Sequence, residues 1–393
     1  MRPNPTRLLV LVCALASLDL ALYLAAVPLL PRWERELGLS KSQAGVVLGA
    51  YGVSVLLGSL PLGLLADRLG AKRLTAGAAV LFALAAPALA LADGFWELVA
   101  VRAAQGLFSA VSWTAGLAWI FAASPAARRG RSMALVNASA MGATLLGPVL
   151  GGPIVAAFGF LPAMTAFGCV VAVLGVWALL EPEAHVPSGG VQSPIAALGL
   201  SVRSWKVRAA FVGILFVSTA VGTVQLLAPL HLAGKGFSDA DVGWVFTAAA
   251  LLALGENLAL TRIADRIDGR GAMIAAIVFV GLANALLGAG LSLAGYVAAT
   301  VALPLATGPL FLFSYTLCAR GAQEVGTGSG VAMGALNTLW ATGSLVAPIA
   351  AGTLAGVGGD ALSFGAVAGV AVVAAVAVDR ARRAERASAP SAW

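Results

Sequence analysis

Apolar residues run along this chain in twelve stretches of helix length, centred near 19, 53, 83, 109, 145, 170, 220, 251, 282, 307, 341 and 369, with short polar breaks between them. A hydrocarbon core ~30 Å thick needs about 20 apolar residues per helix, and inside it every backbone polar group must be bonded internally. The pattern therefore predicts an all-α polytopic membrane protein with twelve transmembrane helices and almost nothing left for a soluble domain. The first run continues unbroken to Leu30 behind Arg2 and Arg7, which fits an uncleaved first helix better than a signal peptide.

Composition agrees: 60% of the 393 residues are hydrophobic and 10% charged, against roughly 45–50% and 25% in soluble domains. The net charge of +7 is sorted by side and does not point to nucleic acid. Loops on the side of the two termini sum to +11 and those on the other side to −3. By the positive-inside rule both termini are expected in the cytoplasm, with the chain in the cell membrane. Cys13, Cys169 and Cys318 fall in predicted spans without metal-ligand spacing, and His185 and His231 form no cluster, so no metal or cofactor is expected. No P-loop is present to suggest an ATP-driven motor.

The chain also repeats itself. "NASAMGATLLGPVLGG" from Asn137 and "NTLWATGSLVAPIAAG" from Asn337 share Asn, Pro and the last Gly at an offset of 200. Pro28 answers Pro229, Gly45 answers Gly243, and Asp67-Arg68 answers Asp265-Arg266, at offsets of 201, 198 and 198. These matches predict two parallel six-helix halves, 1–181 and 209–393, joined by a cytoplasmic linker at 182–208 and related by a pseudo-twofold along the membrane normal.

The loop "GLLADRLGAKR", with Gly63, Asp67, Arg68, Gly70, Lys72 and Arg73, resembles the signature between helices 2 and 3 of the major facilitator superfamily. "RAAQG" from Arg102 is similar to the family's helix 4 element, and "GPVLGG" (Gly147, Pro148, Gly151, Gly152) resembles the helix 5 element of its antiporters. The opening stretch, Asp19 through Pro28 and Pro31, is similar to helix 1 of twelve-span drug/proton antiporters and vesicular amine transporters. The second half departs from the pattern, with Thr261 and Ala347 where glycines would stand. The resemblance implies two bundles enclosing a central site and rocking between inward- and outward-open states. It also implies that Asp67 docks near the start of helix 11, around 327–329, closing the cytoplasmic side; a carboxylate there gains about 0.3–1 kcal/mol from the helix dipole.

Asp19 lies at the middle of its span, where a carboxylate costs roughly 2.5–3.5 kcal/mol and should face a cavity or a partner. Tyr23 shares its helix face. A midplane acid can hold a proton or pair with a cationic substrate; the two uses exclude each other and so couple two flows. The alternative is a permanent structural role, as partner of Arg102 or in a buried polar bond. Arg102 heads a polar stripe with Gln105 and Ser109; the resemblance turns it toward the cavity, while its shallow depth also allows a snorkelling or packing arginine. Glu256, beside Asn257, is either a second proton or substrate site or a structural bond. Asn137 and Asn337 are candidates for interhelical hydrogen bonds or for the cavity. Phe108, Trp113, Phe311, Tyr315 and Trp340 are candidate walls, core residues or lipid-facing residues. The glycines and Pro148 of helix 5 form a hinge or a packing kink.

The function expected is proton-coupled efflux of a small amphiphilic or cationic compound such as a drug, by a chain that works as a monomer and is not an enzyme. The alternative is transport of a polar metabolite, a sugar, nucleoside or organic anion, with Arg102 as the anion clamp. A non-transporting receptor on the same fold would be expected to carry a sizeable soluble domain or tail.

Overall fold

The computed structural model describes residues 4–125, 128–183, 194–260, 269–326 and 329–388. Among them, eleven helical stretches are long and apolar enough to cross a membrane. In chain order these are α1 (Pro5–Leu37), α2 (Lys41–Leu69), α3 (Ala71–Leu91), α4 (Phe95–Ala123), α5 (Arg129–Phe158), α6 (Phe160–Leu180), α7 (Trp205–Gly234), α8 (Asp239–Leu260), α9 (Gly269–Leu287) and α10 (Leu293–Glu324), followed by the long stretch Ser329–Ser388. That last stretch leaves helical geometry at Gly358 and at Gly359, whose φ is +75°. It is therefore two helices, α11 (329–357) and α12 (360–388), and the twelve spans read from the apolar runs are all present.

Short polar signals set the helix ends. The Asn4 side chain accepts from the backbone N–H of Thr6 and Arg7, with Pro5 at the first helical position of α1. Ser40 and Gln43 cap α2 reciprocally, and Ser238 and Asp241 do the same for α8. Other ends are turned at glycines. Gly70 between α2 and α3, Gly159 between α5 and α6, and Gly359 between α11 and α12 have φ of +89°, +88° and +75°. The backbone at Gly159 and Gly359, with ψ of 156° and 174°, lies in a region that is essentially closed to side chains.

The chain folds into two compact units: residues 1–189 with 229–247, and residues 190–228 with 248–393. In the first unit, Phe82 of α3 stacks on Phe108 of α4 at 4.0 Å between centroids, and Phe167 of α6 meets Phe82 edge-on. Helix α5 lies against α1: a Cβ at Gly147 would come within 2.7 Å of the Ala21 carbonyl oxygen, and one at Gly151 would overlap that of Ala25. Gly152 touches Gly243 of α8 in the same unit, and Arg35 pairs with Asp239 at 2.7 Å. The second unit is centred on Ile214, Val217, Ile277, Leu310, Leu336 and Val378.

Two helices lose regular geometry where function was expected. In α5, Pro148 and Pro153 deprive the carbonyls of Thr144 and Val149 of their helical donors; turns occupy 143–145, and Leu150–Ile154 winds as a π-helix. In α4 a π turn covers Ser112–Gly116.

Candidate functional site

Asp19 is 1% exposed, so its midplane carboxylate is enclosed by protein. Three neutral side chains surround it. Ser109 Oγ of α4 donates to Oδ2 at 2.7 Å, and Trp113 Nε1, swung inward by the π turn, donates to the same oxygen at 2.9 Å. Tyr51 of α2 donates to Ser109 at 2.7 Å, and its hydroxyl stands 3.3 Å from each carboxylate oxygen. Oδ2 is thus well bonded, whereas Oδ1 has only the long tyrosine contact.

Arg102 is fully buried, which removes the snorkelling reading. It does not hydrogen-bond to Asp19. Its Nη1 donates to Gln105 Oε1 at 2.7 Å, while Nε, Nη2 and the Gln105 amide nitrogen have no hydrogen-bond partner. Its guanidinium carbon lies 5.5 Å from the Tyr23 ring centroid and 5.3 Å from that of Tyr51, and the two rings are 4.5 Å apart. Cation–π contacts of this kind contribute about 2 kcal/mol when desolvated, well short of the cost of a buried unpaired charge.

The structure therefore gathers Asp19, Tyr23, Arg102, Gln105 and Trp113 into one cluster within the first unit. Tyr51, which the sequence reading did not single out, belongs to it; the available signal was the single tyrosine of a mostly apolar span. Phe108, a candidate wall, is instead sealed in the core by its stack on Phe82.

In the second unit Glu256 rests on α10. A Cβ at Gly308 would come within 2.8 Å of its Cδ and 3.1 Å of Oε1, and Oε2 is buried without a hydrogen-bond partner. Asn257 is exposed and bonds back to Ala253. Asn137 likewise bonds back to Met133, so its amide nitrogen does not make the interhelical bond expected of it. Asn337 makes such a bond through Oδ1, which accepts from the Tyr315 hydroxyl of α10 at 3.2 Å. Phe311 and Trp340 pack half-buried against the second unit's core.

At the signature loop, Gly63 is half-buried and Arg68 and Arg73 are exposed. The side chain of Asp67 and residues 261–268 and 327–328 lie outside the described residues, and with them the expected dock of Asp67. An unforeseen neighbour appears: Glu183 of the linker accepts from the Lys72 backbone N–H at 3.2 Å, and its carboxylate abuts Gly70. It supplies the negative charge that the start of α3 otherwise lacks. All three cysteines are free thiols, and among the described residues no three His, Cys, Asp or Glu side chains gather to hold a metal.

Residues 9–333 match the family model of the Major Facilitator Superfamily. The chain is 28% identical to the inner membrane transport protein YajR of Escherichia coli over 56% of its own length and 48% of that protein's. It is 27% identical to an uncharacterized MFS-type transporter of Yersinia enterocolitica over 93% of both. To the 3-(3-hydroxy-phenyl)propionate transporter of Escherichia coli it is 28% identical, over 81% and 79% of the two chains. Among solved structures, a bacterial homologue of the lysosomal transporter Spinster superposes with a TM-score of 0.77 at 13% identity, covering 98% of each chain. The nucleoside transporter NupG gives 0.76 at 14% identity, covering 95% and 99%. These two establish likeness of fold.

Proposed function

Because the chain belongs to the Major Facilitator Superfamily, a family of membrane transporters for small molecules, we propose that it is a proton-coupled antiporter exporting small amphiphilic compounds, lipophilic cations and drugs among them. It works by alternating access, with 1–181 and 209–393 as the two moving bundles of a monomer in the cell membrane, both termini cytoplasmic. The observation that carries this reading is Asp19: a midspan carboxylate enclosed by protein, held by the neutral donors Ser109 and Trp113 with the Tyr51 hydroxyl beside it, and not hydrogen-bonded to a basic side chain. A permanent structural ion pair would have no place for a proton, whereas here Oδ1 is open to one.

In this cycle Asp19 exchanges its proton for substrate, with Tyr23, Gln105 and Trp113 forming its surroundings. Arg102 keeps a fixed positive charge nearby, so loading Asp19 changes the net charge of the site. Glu256 is the candidate for a second exchange site. Asn137, Asn257, Phe311, Tyr315, Asn337 and Trp340 contribute to the substrate path, the loop from Gly63 to Arg73 gates the cytoplasmic side, and the weakened ladder of α5 supplies flexure.

The test is substrate-induced proton movement in proteoliposomes holding a pH-sensitive dye, comparing the wild type with Asp19→Asn across lipophilic cations and neutral drugs. Proton movement in the wild type and its loss in the variant are expected. Equal movement in both would make Asp19 structural and shift the coupling role to Glu256.

A further inference from the structure

We infer that the first unit carries a headgroup site for an aminophospholipid on the membrane face opposite the chain termini, where the ends of α1 and α3 meet the start of α6. Arg32 stands about 20 Å along α1 from Asp19, so the site is separate from the Asp19 cluster and independent of what the chain transports.

A cavity of about 370 Å³ lies there, lined among others by Arg32, Trp33 and Glu36 of α1, Asp93 of the turn after α3, and Phe160 and Leu161 of α6. Arg32 hydrogen-bonds to Glu36 through Nε at 3.0 Å, and its guanidinium carbon lies 5.0 Å from the Phe160 ring centroid. Its two Nη amines donate to nothing among the described residues. Asp93 has its backbone N–H bonded to Glu97 at 2.8 Å, while its carboxylate pairs with no basic side chain among the described residues.

Two helix C-termini converge on the cavity, and their last carbonyls lack helical donors and carry the negative ends of the dipoles. α3 has no basic residue in its last turn, and Arg35 of α1 is taken by Asp239. With two carboxylates and one guanidinium around it, the cavity calls for a ligand with a cationic end for Asp93 and an anionic end for Arg32. The rim is apolar: Leu91, between the lining residues Ala90 and Ala92, is exposed, as are Leu161 and Phe158. Trp96, at the start of α4, is 75% exposed, and aromatic rings at helix ends mark the headgroup level of a bilayer.

An aminophospholipid unites phosphate, primary ammonium and acyl chains in one molecule. A guanidinium suits phosphate oxygens in a forked contact, and the three N–H donors of the ammonium suit carboxylates and helix-end carbonyls. A choline headgroup carries the same charges without N–H donors, and an anionic headgroup would meet two carboxylates.

The experiment is native mass spectrometry of the purified, delipidated full chain, titrated with dioctanoyl phosphatidylethanolamine, its N-methyl and N,N-dimethyl derivatives, the matching choline and glycerol lipids, and octylammonium. Affinity should fall stepwise from ethanolamine to choline, at least about tenfold in all, because each lost N–H forfeits a hydrogen bond to a charged group. Asp93→Asn should flatten the series, and Arg32→Gln should weaken every zwitterionic lipid. Asp93 is exposed and Arg32 partly so, and losing a surface ion pair costs little stability. If melting curves nevertheless show Arg32→Gln unfolded, the methylation series and Asp93→Asn decide. Equal affinity across the series, a series unchanged by Asp93→Asn, or tightest binding of the glycerol lipid overturns the inference. So does octylammonium binding as tightly as the ethanolamine lipid, which would make the cavity a site for free amines.

Discussion

Asp19 and Arg102 bury opposite charges in one helical unit yet bond to different partners, and Tyr51 touches both: its hydroxyl is 3.3 Å from the carboxylate oxygens and its ring 5.3 Å from the guanidinium carbon. An acid with an open oxygen and a base with open donors are thereby held side by side without cancelling each other.

Tyr51→Phe removes the hydroxyl and keeps the ring. Hydrogen bonds to charged groups contribute about 1.5–3 kcal/mol, so the variant should melt at a lower temperature and move protons more slowly, while its ring contact with Arg102 persists. Tyr51→Leu should lose both. Thermal melts and proteoliposome assays on the pair separate the two contributions; a phenylalanine variant matching the wild type in both would mean that the hydroxyl contacts are idle.

Helix α5 should be intolerant at one glycine and tolerant at another. A Cβ at Gly151 would overlap the Ala25 carbonyl oxygen, whereas Gly142 has nothing within 4 Å. Overpacking of this kind costs about 1–3 kcal/mol or more. Gly151→Ala should lower the yield of monodisperse protein in size-exclusion chromatography and Gly142→Ala should not. Equal profiles would show that α1 and α5 separate easily.

The turn between α2 and α3 combines a positive φ with a cap brought from the linker. Gly70→Ala must adopt a φ of +89° and also displace the Glu183 carboxylate; strain of this kind costs of order 1–3 kcal/mol. Glu183→Gln keeps the acceptor oxygen and loses the charge, a milder change of about 0.3–1 kcal/mol. The predicted order of melting temperatures is wild type, Glu183→Gln, Gly70→Ala, and an inverted order would refute it.

Glu256 and Gly308 should behave as one unit. Gly308→Ala displaces the carboxylate without altering it, so its effect on transport should resemble that of Glu256→Gln, and the double variant should be no worse than the worse single. A double-mutant cycle of initial transport rates measures this, and strictly additive losses would mean that the contact between α8 and α10 is incidental.

Much of the fold was legible because apolar run length is a constraint of the bilayer itself, and Asp19, Arg102 and Gln105 stood out as polar groups where lipid demands none. Their partnership was not legible. The stripe Arg102, Gln105, Ser109 placed them on one face of α4, but nothing local says that Asp19 turns to Ser109 and Trp113 instead of Arg102. Trp113 reaches its position through a π turn that a 3.6-residue period does not anticipate, and Tyr51 arrives from a different helix. Phe108 shows the converse: helical spacing put it near the site, and its stack on Phe82 took it into the core. Asn137 and Asn337 occupy equivalent sequence positions, yet one bonds within its own helix and the other across to α10, since side-chain partners depend on what the neighbouring helix offers.

Gly159 and Gly359 stand 200 residues apart and hold nearly the same backbone conformation. A joint of one residue, or of two as at Gly358 and Gly359, has little slack, so neither limb of the α5–α6 or α11–α12 hairpin can slide without dragging the other. Mechanically, each half carries a clasp at the same place, and any swing of α5 or α11 during transport is also a swing of its return limb. The same economy leaves the chain exposed: any chiral residue at either clasp would have to unwind a turn of helix to relieve its own backbone.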